Sequence, residues 1–122
     1  MKKIATGIVL AMLLLTSVTA ANAQKQANVK GTWDMKVESS LGNGTPVFEL
    51  KHLTETTLEG TYKGRLGESK VSGTVKLNII HLEFEISGGL IEYDGTVEGE
   101  TMKGKIKFSS MGEGTFTGTR KK

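Results

Sequence analysis

The feature that most constrains the fold of this 122-residue chain is an alternation of apolar and polar residues that begins near Gly31 and continues almost to the end. A period of two places successive side chains on opposite faces of a strand. No stretch after Gly31 shows the 3.6-residue period of an amphipathic helix. The pattern predicts eight strands, each with one apolar face, in the tracts 32–38, 48–51, 58–63, 71–77, 80–86, 91–98, 102–108 and 114–119.

Short turn-like sequences separate these strands, among them Gly42-Asn43-Gly44 and Gly99-Glu100. Because no gap could hold a crossover helix, neighbouring strands are predicted to pair as antiparallel hairpins. A meander of eight strands leaves two unpaired edges unless the sheet closes on itself. We therefore predict an all-β fold, a single eight-stranded antiparallel up-and-down β-barrel, over residues 31–122.

Two hairpins allow the register to be predicted. A two-residue turn at Gly99-Glu100 would place Asp94 opposite Lys105 and Glu92 opposite Lys107 on the outer face, which is a favourable pairing of charges. The lysines at 103, 105 and 107 are therefore interpreted as a solvated face rather than an anion site. A turn at Asn78-Ile79 would place Phe84 opposite Gly73.

Glycines recur at inward positions of the predicted strands. The register at Gly99-Glu100 places two of them, Gly95 and Gly104, opposite each other. Inward positions without side chains allow a small barrel to coil sharply. The predicted set is Gly60, Gly73, Gly95, Gly104, Gly114 and Gly118.

The first 23 residues have the three parts of a secretory signal peptide: Lys2 and Lys3, an apolar run at 8–15, and Ala21-Asn22-Ala23 before the cleavage point. The apolar run is shorter than the about 20 residues that span a bilayer, which disfavours a stable membrane anchor. We predict a signal peptide at 1–23, a flexible N-terminal arm at 24–30, and a secreted or periplasmic bacterial protein.

The composition of the remaining chain narrows its partners. Loss of Lys2 and Lys3 from the 16 basic residues leaves 14, against 13 acidic residues, so the net charge is +1. A net charge this small does not produce the strong positive electrostatic potential that attracts nucleic acid, so no nucleic-acid partner is expected. The absence of cysteine excludes disulfides and a lipid-modified N-terminal cysteine.

The stretch Gly31-Thr32-Trp33 at the start of the first strand resembles the G-x-W element of calycin barrels, the group of lipocalins, fatty-acid-binding proteins and avidins. In that group a basic residue of the last strand packs over the tryptophan, and Arg120 ends the eighth strand here. The resemblance implies a structural pair of Trp33 and Arg120 at one barrel end. Avidins use several tryptophans for biotin, and this chain has one.

The predicted strand faces carry few residues that could act in catalysis or bind a metal ion. His52 is the one ionisable residue predicted near the interior, and His81 lies on the outer face of strand five. Two histidines on opposite faces do not form a metal site, and no sequence signature of a nucleophile or a phosphate loop is present. We predict no catalytic residue, no metal ligand and no cofactor, and therefore no enzyme.

Three non-catalytic functions remain open. The first is a barrel that binds a compact apolar small molecule, the alternative for its interior being a filled core. The second is a protein-binding module, such as a periplasmic protease inhibitor that acts through its N-terminal arm. The third is an accessory domain of a larger assembly. The predicted ligand-lining residues are Trp33, Met35, Phe48, Leu50, Tyr62, Phe84, Tyr93, Met102, Ile106, Phe108 and Phe116.

Overall fold

The computed structural model describes residues 26–122, so the predicted signal peptide at 1–23 lies outside the described residues. Nothing within 26–122 forms a helix long and apolar enough to cross a membrane. The secondary structure consists of strands: β1 (Gly31–Ser39), β2 (Val47–His52), β3 (Thr57–Gly64), β4 (Gly67–Lys76), β5 (Ile79–Ile86), β6 (Gly89–Glu98), β7 (Thr101–Phe108) and β8 (Glu113–Arg120).

The eight strands form a closed barrel in sequence order, as predicted. Each strand pairs antiparallel with the next, and β8 returns to pair with β1 from Trp33↔Arg120 to Ser39↔Gly114. This closure removes both sheet edges, which would otherwise expose unpaired backbone groups. The apolar residues of the alternating pattern lie inside, and the charged residues lie outside.

The register of the β6–β7 hairpin is confirmed. Asp94 lies opposite Lys105, Glu92 opposite Lys107, and Gly95 opposite Gly104. Within residues 26–122, neither Asp94 with Lys105 nor Glu92 with Lys107 forms an ion pair within 4.0 Å. The register is therefore set by the turn at Gly99, whose φ is 60°, rather than by direct ion pairs.

The predicted register of the β4–β5 hairpin is wrong. The turn is Leu77-Asn78, Lys76 pairs with Ile79, and Leu82 rather than Phe84 faces Gly73. The branched Ile79 stays in the strand, and Leu77 takes the left-handed turn position with φ of 53°. Leu77 is consequently exposed rather than inward.

Within residues 26–122 twenty apolar side chains are buried, and all eleven predicted ligand-lining residues are among them. At the centre is an aromatic cluster with ring centroids 4.4–5.9 Å apart. Edge-to-face and stacked pairs of this kind add to the stabilisation that comes from apolar burial. The cluster comprises Phe48, Tyr62, Phe84, Tyr93 and Phe116.

Five of the six inward glycines lie where the backbone of a neighbouring strand leaves no room for a Cβ atom: Gly60, Gly73, Gly95, Gly104 and Gly114. At Gly118 the nearest atoms belong to the side chains of Met35 and Met102. A Cβ atom on Gly95 would lie 2.7 Å from the carbonyl carbon of Lys103 and 2.9 Å from the Cα of Gly104. Both distances are shorter than 3.0 Å, a separation that real Cβ atoms essentially never show. The glycines therefore permit the tight coiling of a small barrel.

One end of the barrel is closed by the pair that the calycin resemblance implied. The Arg120 Cζ atom lies 4.6 Å from the centroid of the Trp33 ring. The guanidinium also donates hydrogen bonds to the carbonyl oxygens of Asn28 (3.0 Å) and Gly99 (3.1 Å), and to that of Lys30. Arg120 therefore joins the first strand, the last strand and the segment before β1.

Of the predicted arm at 24–30, the structure describes residues 26–30, and these pack across this closed end. Val29 is fully buried, and its carbonyl accepts a hydrogen bond from the Trp33 indole at 3.0 Å. The Val29 amide donates to Nε2 of His52 at 3.0 Å. The Gln26 side chain donates to the carbonyl of Val75 at 2.6 Å. This segment acts as a plug for the barrel.

Candidate functional site

The opposite end of the barrel, where the loops 40–46 and 65–66 lie, holds a small cavity of about 40 Å³. Its floor is apolar and aromatic, and its rim is formed by the two loops. The β1–β2 loop is rich in turn residues, which produce no alternation and so no strand. The cavity is lined by Val37, Ser39, Leu41, Gly42, Asn43, Gly44, Pro46, Tyr62, Arg65, Leu66, Phe84, Ile91, Tyr93 and Phe108.

Four of the eleven predicted ligand-lining residues border this cavity: Tyr62, Phe84, Tyr93 and Phe108. The other seven are packed into the core away from it: Trp33, Met35, Phe48, Leu50, Met102, Ile106 and Phe116. Eight-stranded barrels are just wide enough for side chains to fill them, and large side chains fill most of this one. The cavity at the loop end is space that these side chains leave unfilled.

Two tyrosines bring polar atoms to the wall of this apolar cavity. Burial raises the pKa of Tyr93 far above its ordinary value of 10.0, and the neighbouring Tyr62 raises it further. Burial also raises the pKa of Tyr62, although a hydrogen bond with the Leu66 backbone and the charge of Arg65 oppose the shift. Both phenols are therefore neutral at physiological pH, and each retains a hydroxyl proton that it can donate.

Arg65 supplies the positive charge at the rim. Its Nη1 donates a hydrogen bond to the carbonyl of Asn43 at 2.6 Å, so it fastens the β1–β2 loop to the β3–β4 turn. A Cβ on Gly42 would meet Nη1 at 2.6 Å, and one on Gly44 would meet Cδ at 3.1 Å. The two glycines thus leave the space in which the arginine lies. Gly42 has a φ of 116°, which favours glycine in any case.

A second group of polar residues lies on the outer face of β5 and β6. His81 Nδ1 lies 2.5 Å from Oδ1 of Asp94, and its Nε2 lies 2.8 Å from Oε1 of Glu83. Burial of the ring lowers the pKa of His81, but hydrogen bonds to Glu83 and Asp94 and their charges outweigh it, so the pKa lies above its ordinary value. The imidazole is therefore held between two carboxylates.

No metal ligand was predicted from the sequence, yet this register brings together three residues whose side chains could hold a metal ion. Single donor atoms of His81, Glu83 and Glu92 all lie within 4.8 Å of one another. His52 is not part of the group, because its ring contacts the Val29 amide and the carbonyl of Thr54 at the closed end. The signal that was missed is the turn at residues 87–88, which places Glu92 opposite Glu83.

Comparisons with known proteins identify the fold. No family model matches the sequence, and none of the curated proteins matches it significantly. The chain is similar to a de novo designed fluorescence-activating β-barrel, with a TM-score of 0.62 and 19% identity over 81% of this chain and 99% of that chain. It is also similar to a redesigned β-barrel, b11L5F_LGL, with a TM-score of 0.66 and 14% identity over 76% and 91% of the two chains. It is similar as well to a third barrel, the redesigned mFAP1 bound to DFHBI, with a TM-score of 0.60 and 17% identity over 75% of this chain and 94% of that chain.

Proposed function

We propose that this protein is a non-catalytic binding module that takes a compact apolar group into the cavity at the loop end of the barrel. The observation that carries the proposal is the contrast between the two ends. The plug and the Trp33–Arg120 pair seal one end. The other end keeps the apolar cavity with its two neutral phenols, which is called the recess below. Concave, mostly apolar sites with a few polar groups are typical of ligand sites.

The size of the recess limits what enters it. A water molecule needs roughly 10–15 Å³ of such space, so about 40 Å³ accommodates the equivalent of about three waters. Sites for whole drug-sized ligands measure about 300–1,000 Å³. The recess therefore suits the end of a ligand, such as a branched alkyl group. The rest of that ligand would lie along the rim, beside Leu41 and Leu66.

The alternative function, inhibition of a protease by an inserted N-terminal arm, has less support. Residues 26–30 would have to leave the barrel end, and Val29 would lose its complete burial. Exposing one valine side chain costs about 1.5–3 kcal/mol, and the hydrogen bonds of Gln26 and Val29 would be lost as well. The plug therefore favours a structural role for this segment.

Two leucines provide a matched test. Leu66 lines the recess and is 42% exposed, while Leu77 lies at a turn of the closed end and is 46% exposed. Compact probes with an apolar body and one hydroxyl, such as isobutanol and p-cresol, should shift amide NMR signals of the residues around Tyr62 and Ile91. Leu66→Glu should weaken this binding, and Leu77→Glu should leave it unchanged.

The same titrations define the outcomes that count against the proposal. Equal weakening by both substitutions, or shifts confined to the plug, would remove the recess as the site. DFHBI, the compound bound in the mFAP1 structure, has two rings and is expected not to bind, because it exceeds the recess. Binding of DFHBI within the barrel would show that the interior opens and that the size limit is wrong.

We further propose that the domain acts after export from a bacterial cell, in the periplasm or outside it. The proposal rests on the predicted signal peptide at 1–23. Mass spectrometry of the exported protein should give a chain that begins at Gln24. A chain that retains residues 1–23 would contradict it.

A further inference from the structure

We propose that the outer face of the barrel carries a binding site for a divalent transition-metal ion such as Zn²⁺, formed by His81, Glu83 and Glu92. This site is separate from the recess at the loop end, since none of its three residues lines that cavity. The two proposals can therefore fail independently.

Backbone register brings the three ligands together. His81 and Glu83 are two residues apart on β5 and so point to the same face. Glu92 on β6 lies directly opposite Glu83, and Asp94 lies directly opposite His81. Side chains at directly opposed positions start about 4.5–5.5 Å apart at Cβ. One donor atom of each ligand already lies within 4.8 Å of the others, so small rotations of the two flexible glutamates complete the set.

Asp94 orients the histidine for this role. It contacts Nδ1 at 2.5 Å, so that nitrogen keeps its proton, while Nε2 faces Oε1 of Glu83 at 2.8 Å and can bind an ion once its own proton is released. Metal-binding histidines almost always donate their other N–H to a carboxylate or carbonyl, which fixes the tautomer and the ring. Asp94 is thus a positioning residue, and the ion would replace the hydrogen-bonded proton between Nε2 and Glu83.

The arrangement of charges on β5 and β6 also favours a cation between Glu83 and Glu92. Glu83 and Glu92 are like charges directly across an antiparallel pair, which is an unfavourable arrangement. Lys107 lies opposite Glu92 on the other side, yet within residues 26–122 the Glu92 carboxylate makes no ion pair within 4.0 Å. A divalent ion bound between the two glutamates would relieve their repulsion.

The ligand types select the class of metal. One imidazole and two carboxylates suit zinc-like ions, which accept nitrogen and oxygen donors in four-coordinate sites. Ca²⁺ takes six to eight oxygen ligands, and three side chains fall short of that number. The fourth position would be held by water, because the His81 side chain is 29% exposed and that of Glu83 is 41% exposed.

The experiment uses the mature chain, stripped with EDTA and then titrated with ZnCl₂ by calorimetry, with Co²⁺ absorption as a report on coordination geometry. We expect one ion per chain. Glu92→Gln should weaken binding at least tenfold, and His81→Gln should abolish the Co²⁺ spectrum of a nitrogen-containing site. Asp94→Asn should weaken binding by roughly 10–100-fold, the range typical of such orienting partners.

Two matched controls guard against nonspecific binding. His52→Gln removes the other histidine of the chain, and Glu85→Gln removes an exposed carboxylate of the same strand. Both should bind Zn²⁺ as the wild type does. The site is refuted if the wild type does not bind Zn²⁺, if Glu92→Gln and His81→Gln bind it unchanged, or if His52→Gln loses it. Each variant is checked for its β-sheet circular dichroism, so that loss of binding is not confused with unfolding.

Discussion

The structure makes a sharp prediction about two inward glycines, Gly95 and Gly118. Alanine at Gly95 would direct its methyl group at backbone, with the Lys103 carbonyl carbon at 2.7 Å and the Gly104 Cα at 2.9 Å. Alanine at Gly118 would meet the Met35 sulfur at 2.5 Å and the Met102 Cγ at 3.0 Å. Neither glycine has a φ in the left-handed region, so backbone angle plays no part in the comparison.

The difference lies in what can move. Methionine is flexible and adapts to irregular space, so the side chains around Gly118 can rotate away. At Gly95 the β6 and β7 backbones must separate, and overpacking of this kind costs about 1–3 kcal/mol or more. Either alanine also stabilises by about 0.4–1 kcal/mol through the unfolded chain. We therefore expect a net loss of about 2 kcal/mol for Gly95→Ala and a change near zero for Gly118→Ala.

Urea unfolding followed by tryptophan fluorescence measures both values, because Trp33 is the one tryptophan and is fully buried. For a domain of about 100 residues, 2 kcal/mol corresponds to a fall in Tm of roughly 8–16 °C. Two outcomes would refute the reasoning: a Gly95→Ala variant as stable as the wild type, or equal losses at both positions. Either would show that the backbone at Gly95 yields as easily as a methionine side chain.

Three further predictions concern charged and titrating groups. Arg120→Met should lower the free energy of unfolding by about 2–4 kcal/mol, through loss of the cation over Trp33 and of hydrogen bonds to carbonyls; an unchanged urea midpoint would contradict this. Burial raises the pKa of both tyrosines, Tyr62 and Tyr93, above 10.0. An ultraviolet titration should therefore find each phenol less than half ionised at that pH in the folded chain, and stability should fall as the pH rises further; half ionisation of both tyrosines at pH 10 in the folded state would overturn it. The pKa of His81 is raised above 6.5, so in EDTA the wild type should exceed His81→Gln in stability below that pH and lose the advantage as the pH rises through the folded value. A pH-independent difference would argue against the ion pairs.

Alternation was sufficient to predict the barrel because it encodes which face each residue occupies and because the short gaps left one way to connect the strands. Predicting the register also required the turn residues to be identified. Gly99 marked its turn through the conformation it permits, and the β6–β7 pairing followed. At the β4–β5 hairpin the left-handed position is held by Leu77, a residue that gives no such signal, and the predicted turn was displaced by one residue.

The recess was beyond sequence reasoning for a different reason. Its rim comes from residues 40–46 and 65–66, which have no periodicity, and its volume depends on how far side chains fill the barrel. Tyr62 and Phe84 were predicted to line a ligand space, but the same pattern is equally consistent with a filled core. Alternation indicates the direction in which a side chain points, whereas the space left between side chains depends on three-dimensional packing.

The group on the outer face, by contrast, was within reach of the sequence. Ser87-Gly88 is a dipeptide that marks turns, and in the structure both residues have positive φ, 55° and 81°, as in a two-residue hairpin turn. From that turn, counting back along both strands pairs Glu83 with Glu92 and His81 with Asp94. A histidine treated as an isolated residue of one strand is thereby joined by carboxylates from the next. In a closed barrel every outer-face residue has neighbours on two adjoining strands, so candidate ligands are best sought across the ladder rather than along the chain.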